Sequence, residues 1–426
     1  MQILLTNCTY IHWETLKFQQ GHILVDQGDQ GGIRFLNDLP NDSDLKKYQV
    51  LDCSGKLVTK AFAIGHHHVY SALARGMPAP AVKPANFREI LQNIWWTLDK
   101  NLDKDSIHFS ALVTAMAAAR AGSTFVIDHH ASPGHIRGAL KIIASAFRQV
   151  GVGHLLCYEA TDRDGKDKAM EGLEETDSYL SSNQGLVGLH ASFTVGDDTL
   201  HKAVQLMHRH QSGIHMHLAE DKSDQQHCLQ NYYQRVVMRL NEAGVLDSSK
   251  TILVHGLHLD PVERKMIRSK PCWVAQNTES NLKNRVGIFS DKLLGDNIML
   301  GTDGMHGDML RSAKACYFAG QPTDQISFKQ TYQRFRNVHR YLHTNGFKGD
   351  ADNNLVVIDY DSPTELNAEN FPAHFVFGLS AEHITHVISG GQLIIKNRAF
   401  QTIDQGSVLA EAAKHAKQLW KRMKQQ

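Results

Sequence analysis

Residues 61–70, AFAIGHHHVY, decide the predicted fold of this chain. An apolar run ends there in three consecutive histidines, a pattern that indicates a buried strand with a polar end. Residues i and i+2 of a strand project to the same side, so His66 and His68 share a face and His67 points away. Two adjacent imidazoles suit a divalent metal such as zinc. The alternative is a solvated polar strand end, so the metal hypothesis depends on what the rest of the chain supplies.

Outward from this segment, apolar runs of strand length alternate with longer helical stretches. This alternation is typical of βα units and a parallel sheet, and the unbroken apolar character indicates strands covered on both faces. Eight units over about 290 residues have the size of a (β/α)8 barrel of the TIM type, so the predicted fold class is α/β. The eight runs are LVTKAFAIGHHH, STFVIDHHA, VGHLLCYEA, GLVGLHASF, GIHMHLAED, TILVHGLHL, CWVAQNTESN and NIMLGTDG.

Polar or ionisable side chains stand at the C-terminal end of every one of these runs. In a TIM-type barrel those ends converge on one mouth, where active sites lie. A barrel under selection for stability alone would not need ionisable groups at all eight ends, so the pattern favours a site there. The residues are His66 and His68, Asp128, His129 and His130, Glu159 and Asp162, His190, His217 and Glu220, His255 and His258, Asn277 and Asn281, and Asp303.

Both ends of the chain have strand character instead. Residues 3–58 read as short strands separated by Gly, Asp and Asn turns, which predicts a small antiparallel sheet. After residue 350, LVVIDYD and the pair THVIS and QLIIKN around Gly390-Gly391 return to strands. We therefore predict a discontinuous β-sandwich domain from residues 1–58 and 351–405, a barrel over 59–350, and a C-terminal surface helix over 406–426, where apolar residues recur at helical spacing.

The bulk composition argues against several classes of protein, namely nucleic-acid-binding, membrane and secreted proteins. The chain has 426 residues, a net charge of +1 and no long basic block, so we expect no nucleic-acid partner. No apolar run approaches the roughly 18 residues of a membrane helix, and the N-terminus lacks a signal-peptide pattern. The six scattered cysteines contain no CxxC pair, which favours free thiols in a reducing cytoplasm.

The predicted metal ligands are His66, His68, His217 and Asp303, which come from the first, fifth and eighth runs. Three neutral imidazoles and a carboxylate suit one divalent ion, zinc or alternatively iron(II), with a position left for water. His215 and His217 form a second His-x-His pair. We assign His217 to the metal because Glu220 follows it closely, and we expect His215 to be a hydrogen-bonded residue of the barrel core.

Two further residues are predicted to act on protons. Glu220, in HLAED, would be partly desolvated near a metal, where a carboxyl group can hold a raised pKa and shuttle protons. His255 ends the sixth run and could face the metal-bound water. The pair Trp95-Trp96 is predicted to pack as helix aromatics on the barrel, with a substrate lid as the less favoured alternative.

These residues resemble a known family. HxH in the first run, HxxE in the fifth, a histidine in the sixth and GTD in the eighth are similar to the amidohydrolase superfamily, in its cytosine/guanine deaminase and triazine-hydrolase branch. HHHVYSALARGMP, IDHHASP, YEATDRDG, GLHASFT, NTESNLKNRVG and GTDGM also resemble the SsnA group of aminohydrolases. One departure concerns the entry to the HxH: relatives use Pro-Gly-hydrophobic-hydrophobic-Asn, and residues 60–64 here read KAFAI.

The resemblance implies hydrolysis of a C–N bond in a purine- or pterin-like heterocycle by metal-activated water. Asp303 would take the proton of the water, His255 would steady the developing negative charge, and Glu220 would protonate the ring nitrogen. Deamination is the first hypothesis. Ring-opening hydrolysis of a cyclic amide and a non-catalytic metal-binding role remain alternatives, and dimers are common among proteins that resemble this one. The predicted substrate-binding residues are His190, His130, Glu159, Arg75 and Asn281.

Overall fold

The computed structural model describes residues 1–424, which form two separate sheets and the helices around them. The strands of this part of the chain are β1 (Gln2–Ile11), β2 (Phe18–Val25), β3 (Ile33–Leu36), β4 (Tyr48–Asp52), β5 (Leu57–Lys60), β6 (Phe62–His67), β7 (Ser123–His130), β8 (Gly153–Ala160), β9 (Val187–Ala191), β10 (Ile214–Leu218), β11 (Ile252–His255), β12 (Trp273–Gln276), β13 (Ile298–Leu300), β14 (Leu355–Ile358), β15 (Ile384–Ser389), β16 (Gln392–Lys396) and β17 (Ala399–Phe400).

The barrel consists of β6 to β13, all parallel and in sequential order. Closure comes from the last strand meeting the first: the amides of Thr302 and Asp303 donate to the carbonyl of His66 at 2.9 and 3.1 Å. A single bridge between His67 and Asp303 completes the contact. The predicted TIM-type barrel is confirmed, and its closure places Asp303 directly beside the histidine run.

The second sheet is built from both ends of the chain, as predicted, in the order β17-β16-β15-β14-β5-β1-β2-β3, with β4 also on β1. The expectation that its N-terminal part is antiparallel was wrong for two pairs, because β4 and β5 run parallel to β1. The connection from β3 to β4 carries the chain across the sheet before β4 begins, which gives β4 the direction of β1. The domain boundaries at residues 58, 350 and 405 stay predictions.

Helices cover the outside of the barrel, and no helix within residues 1–424 is long and apolar enough to span a membrane. The last helix packs three buried residues, Ala412, Ala416 and Leu419, toward the barrel. The helices are α1 (Asp42–Leu45), α2 (Phe87–Ile90), α3 (Trp96–Lys100), α4 (Lys104–Arg120), α5 (Ala139–Val150), α6 (Lys166–Leu180), α7 (Asp197–Arg209), α8 (Lys222–Tyr232), α9 (Val236–Glu242), α10 (Pro261–Arg268), α11 (Thr278–Asn284), α12 (Met309–Asp324), α13 (Phe328–Thr344), α14 (Phe371–Phe377) and α15 (Gln405–Met423).

A buried lysine stands where the second sheet passes into the barrel, at the point where the sequence departs from the Pro-Gly entry. Lys60 ends β5, and its side chain is only 1% exposed. Its ammonium group donates to the carbonyls of Asp350 and Ala351, both at 2.9 Å, and lies 3.8 Å from the Asp350 carboxylate. Because a buried charge is tolerated only when it is paired and hydrogen-bonded, these contacts fix the start of the histidine strand.

Candidate active site

The C-terminal ends of the barrel strands surround one cavity of about 570 Å³, part of which is open to solvent. Its wall combines aromatic rings with ionisable groups, which is the composition expected of a small-molecule site. The lining includes Tyr70, Phe87, Trp95, Trp96, His68, His217, Glu220, His255, Asp303, His190, Glu159, Arg163 and Lys283.

Three of the four predicted metal ligands belong to one tight group. The ligand atoms of His66, His68 and Asp303 all lie within 4.8 Å of one another. His68 Nε2 is 3.2 Å from Asp303 Oδ1, and His66 Nε2 is 3.9 Å from the same oxygen. The fourth predicted ligand, His217, approaches through its Nε2, which is 3.1 Å from His68 Nε2. It falls in a second group with His68, His129 and Glu159.

The donor set fits a divalent cation. His68 Nδ1 donates to the carbonyl of His129 at 2.6 Å, so Nε2 is the nitrogen that would bind a metal, as in many zinc sites. His66 Nε2 is buried and has no hydrogen-bond partner in the described part of the chain. Burial lowers the pKa of His68, but the Asp303 carboxylate outweighs burial and raises it to about 9, so this corner of the cavity favours positive charge.

His215 has the core position predicted for it. Its Nε2 is 2.9 Å from His66 Nδ1, and its side chain is fully buried. If His66 Nδ1 donates in this hydrogen bond, His66 Nε2 is free to act as a ligand, which is the tautomer that a metal requires. The prediction that His215 is a hydrogen-bonded residue of the barrel core is consistent with this contact.

The predicted proton-transfer residues form a third group with Asp303. His255 Nε2 is 3.4 Å from Glu220 Oε2 and 3.7 Å from Asp303 Oδ2. Burial raises the pKa of Glu220 well above its ordinary value, and the negative charge of Asp303 raises it further, so both favour the protonated form of Glu220. Burial lowers the pKa of His255, which keeps its ring neutral.

Two of these residues have backbone conformations that are rare for non-glycine residues. His255 has a φ of 74° and Asp303 a φ of 51°, both in the left-handed region. Such conformations cost about 1–3 kcal/mol each and persist only where the surroundings enforce them. His255 is the last residue of β11, Asp303 follows the end of β13 by three residues, and both line the cavity.

The five predicted substrate-binding residues have different positions. His190 and Glu159 line the cavity. Asn281 and His130 are buried behind the wall, where Asn281 bonds His255 and His130 Nε2 pairs with the hydroxyl of Ser132 at 3.0 Å. Arg75 is exposed and lies outside the cavity lining. Only the first two are therefore positioned to touch a ligand directly.

The ionisation states of the two lining residues have clear causes. Burial lowers the pKa of His190 to about 4, so the ring is neutral. Burial raises the pKa of Glu159, but the neighbouring His190 and His129 outweigh burial and hold it well below its ordinary value. The cavity therefore has a neutral imidazole and an ionised carboxylate on this wall.

Sequence reasoning missed several cavity residues. Arg163, which forms ion pairs with Asp99 and Asp164, stacks over the Trp96 ring at 5.1 Å. Lys283 Nζ lies 5.1 Å from the Trp95 ring centre. Both cations follow a strand end within a few residues, in YEATDRDG and NTESNLKNRVG, which was the available signal. Trp95 and Trp96 line the cavity and also pack against the hydrophobic core of the barrel, so the favoured packing role and the substrate lid both stay predictions.

Comparison with known proteins identifies the family. The amidohydrolase family matches residues 65–394, about three quarters of the chain. The chain belongs to the amidohydrolase family. A 5-methylthioadenosine/S-adenosylhomocysteine deaminase of Thermococcus sibiricus is 25% identical over 418 residues, covering 93% of this chain and 94% of that protein. This amidohydrolase is accordingly a hydrolase that acts on C–N bonds.

Solved structures share the whole architecture of this amidohydrolase. A zinc-bound adenosine deaminase of Xanthomonas campestris has a TM-score of 0.81 at 16% identity and covers 100% of this chain and 99% of its own. The zinc complex of the atrazine chlorohydrolase of Arthrobacter aurescens TC1 has a TM-score of 0.78 at 15% identity, with 98% and 100% coverage. At such identities the likeness establishes the fold.

Proposed function

We propose that this amidohydrolase is a divalent-metal-dependent deaminase of a purine- or pterin-like heterocycle. The observation that carries the proposal is the group Glu220–His255–Asp303 at the cavity wall. In this group the pKa of one carboxyl is raised and the pKa of the imidazole is lowered. Hydrolytic deamination needs a group that removes a proton from water and another that delivers a proton to the ring, and this group of residues can do both.

The metal ligands would be His66, His68, His217 and Asp303, and a bound divalent ion would supply acidification of water and polarisation of the substrate. The side chains of the site would carry out the proton transfers. Asp303 Oδ2 accepts the proton from the attacking water. His255 Nε2, within 4 Å of both carboxyl groups, relays protons between Asp303 and Glu220. Glu220 then donates to the ring nitrogen and afterwards to the departing amine.

The cavity wall supports a planar heterocycle as substrate. Tyr70, Phe87, Trp95 and Trp96 supply aromatic faces and edges, against which flat rings pack favourably. His190 and Glu159 add one neutral and one ionised polar group that could bind ring nitrogens or exocyclic amines. The names of the T. sibiricus deaminase and of the X. campestris enzyme, both adenosine-type deaminases, support a purine.

The experiment is a panel of aminopurines, nucleosides and pterins incubated with the zinc-loaded protein, with ammonia release and product mass as readouts. Deamination releases ammonia and increases product mass by the exchange of NH for O. Ring opening would add one water and create a carboxylate without ammonia. Turnover of no compound, by protein whose metal content is confirmed, would favour the non-catalytic alternative.

The metal is proposed to be zinc, with iron(II) as the alternative. Imidazole and carboxylate donors suit either ion, so the donor set alone does not separate them. Both structural relatives described above contain zinc, which supports the first choice. Elemental analysis of protein purified without added metal, followed by separate reconstitution with each ion under anaerobic conditions, tests it. Higher turnover of the iron form would contradict zinc.

Three broader expectations remain proposals. Within the family, the quoted stretches support a place in the SsnA group. All six cysteines are buried and unpaired, which supports a cytoplasmic location.

A homodimer is supported by an exposed aromatic cluster, in which Phe318 and Phe377 are each more than half exposed with ring centres 6.0 Å apart. Light scattering of the purified chain would contradict the dimer if it gave the mass of one chain.

A further inference from the structure

We propose that the active site contains a second divalent-cation position, formed by His129, Glu159 and His217. This inference rests on the proposed metal-dependent function only in taking the strand-end cluster to bind divalent ions. The ligand atoms of these three residues and of His68 lie within 4.8 Å of one another, and all four side chains are buried. They come from β7, β8, β10 and the segment just after β6, so barrel geometry brings them together.

The contacts of His129 leave one of its nitrogens pointing at a carboxylate. His129 Nε2 is 3.0 Å from the carbonyl of His215 and 3.1 Å from that of Leu189, so Nε2 carries a hydrogen. The other nitrogen, Nδ1, lies 3.2 Å from Glu159 Oε2. A divalent cation beside these two atoms could take both as ligands.

Neither of these two atoms has a hydrogen bond to another residue of the site. His129 Nδ1 and Glu159 Oε2 are both buried side-chain atoms without a hydrogen-bond partner among the described residues. His129 is 0% exposed and Glu159 is 2% exposed. Unpaired polar atoms of this kind are rare in folded proteins and are found where an ion or a water belongs. Imidazole nitrogen and carboxylate oxygen are both good ligands for zinc.

The ligands can be divided between two ions without sharing. His66, His68 and Asp303 form the first position, and His129, Glu159 and His217 form the second, so each receives two imidazoles and one carboxylate. With a single ion bound, His217 completes the first position, because its Nε2 lies 3.1 Å from His68 Nε2. The second ion therefore competes for His217, and it binds more weakly than the first.

The test counts zinc bound to the full-length chain. Protein stripped with a chelator is titrated with Zn²⁺, passed through a desalting column and analysed for zinc per chain. The wild type is expected to reach two equivalents in two steps. Glu159→Gln and His129→Gln are each expected to reach one equivalent, whereas His66→Asn loses the tight step and keeps the weak one.

The matched control is Asp164→Asn. It removes a nearby carboxylate that pairs with Lys100 and Arg163 and does not belong to the cluster, so it should still reach two equivalents. It also corrects for zinc held by surface histidines, because these are present in every variant. Circular dichroism of the stripped proteins shows which variants are folded. If Glu159→Gln or His129→Gln does not fold, the other variant alone tests the second position.

Saturation of the wild type at one equivalent would overturn the second position, as would two equivalents in both Glu159→Gln and His129→Gln. In that case His129 and Glu159 are a buried ion pair. A chain that binds two ions but releases no ammonia from any tested heterocycle would overturn the proposed function and leave the metal position standing. Ammonia release by a chain that saturates at one equivalent of zinc would support the proposed function and overturn the second metal position.

Discussion

His255 Nδ1 donates a hydrogen bond of 2.7 Å to the side-chain oxygen of Asn281. Both residues are 1% exposed, so water does not compete for this bond. It holds the imidazole proton on Nδ1 and leaves the Nε2 lone pair toward Glu220 and Asp303. Asn281 was predicted to bind substrate, but its contact is with the residue predicted to act on the water.

Asn281→Leu should remove the hydrogen bond that holds the proton of His255 on Nδ1. We expect kcat to fall roughly 10- to 100-fold, the range for residues that orient functional histidines, while the metal content stays unchanged. Steady-state kinetics with parallel elemental analysis measures both. Leu282→Ala, a largely exposed position on the same helix, is the control and should keep wild-type kcat. An unchanged kcat in Asn281→Leu would show that His255 does not depend on this bond.

Glu220→Gln should abolish most turnover without removing metal. The amide keeps the shape of the protonated carboxyl group but cannot deliver its proton, so kcat should fall about 10²- to 10⁴-fold. Asp221→Asn is the neighbouring control: Asp221 caps the helix Lys222–Tyr232, and asparagine caps equally well. Activity of Glu220→Gln close to that of Asp221→Asn would exclude Glu220 as the proton donor.

His66→Asn and Asp303→Asn should each lose the tightly bound metal ion and all measurable turnover. Both side chains belong to the first ligand group, and removal of one of its three ligands leaves too few for tight binding. His67→Gln is the matched control within the same histidine run, since His67 bonds the hydroxyl of Thr302 instead of facing the cluster. Full activity in either ligand variant would refute the metal assignment.

Lys60→Met should strongly destabilise the fold. The change removes the ammonium group from two carbonyls and from the buried Asp350 carboxylate, which keeps its contact with His339. Breaking a buried pair from one side costs roughly 3–5 kcal/mol. Chemical unfolding compared with Lys17→Met, an exposed lysine, measures the loss. A difference below about 1 kcal/mol, the usual value of an exposed pair, would show that Lys60 does not hold the barrel entry.

Acid should destabilise the protein partly through His154. Burial lowers the pKa of its ring to about 4, whereas an unfolded histidine titrates near 6.5. As pH falls from about 6.5 to about 4, the unfolded chain takes up this proton first, so the free energy of unfolding decreases. His154→Leu should flatten this dependence by up to about 1.4 kcal/mol per pH unit.

Urea unfolding of wild type, His154→Leu and His201→Leu at several pH values tests this point. His201 is exposed, so its replacement should leave the pH dependence as it is in the wild type. Parallel curves for all three proteins would mean that the ring of His154 is not protected from protonation in the folded state.

The barrel was predictable because its signals are local. Each strand is an apolar run, and a strand such as STFVIDHH has that character whatever surrounds it. The His-x-His spacing in the first strand likewise fixes which two imidazoles share a face. The direction of β4 and β5 was missed because strand direction depends on the path of the connections, which leaves no periodicity in the sequence.

The sequence by itself determined the fold class, the end of the barrel that holds the site, and the types of residue there. Only the tertiary structure decided how those residues are grouped. His129 and Glu159 join His217, Asn281 turns to His255, and Arg75 stays outside, because contacts between strands far apart in sequence depend on barrel closure and side-chain packing. A sequence records which chemical groups a strand end carries, whereas the neighbours of each group are set by the three-dimensional path of the chain.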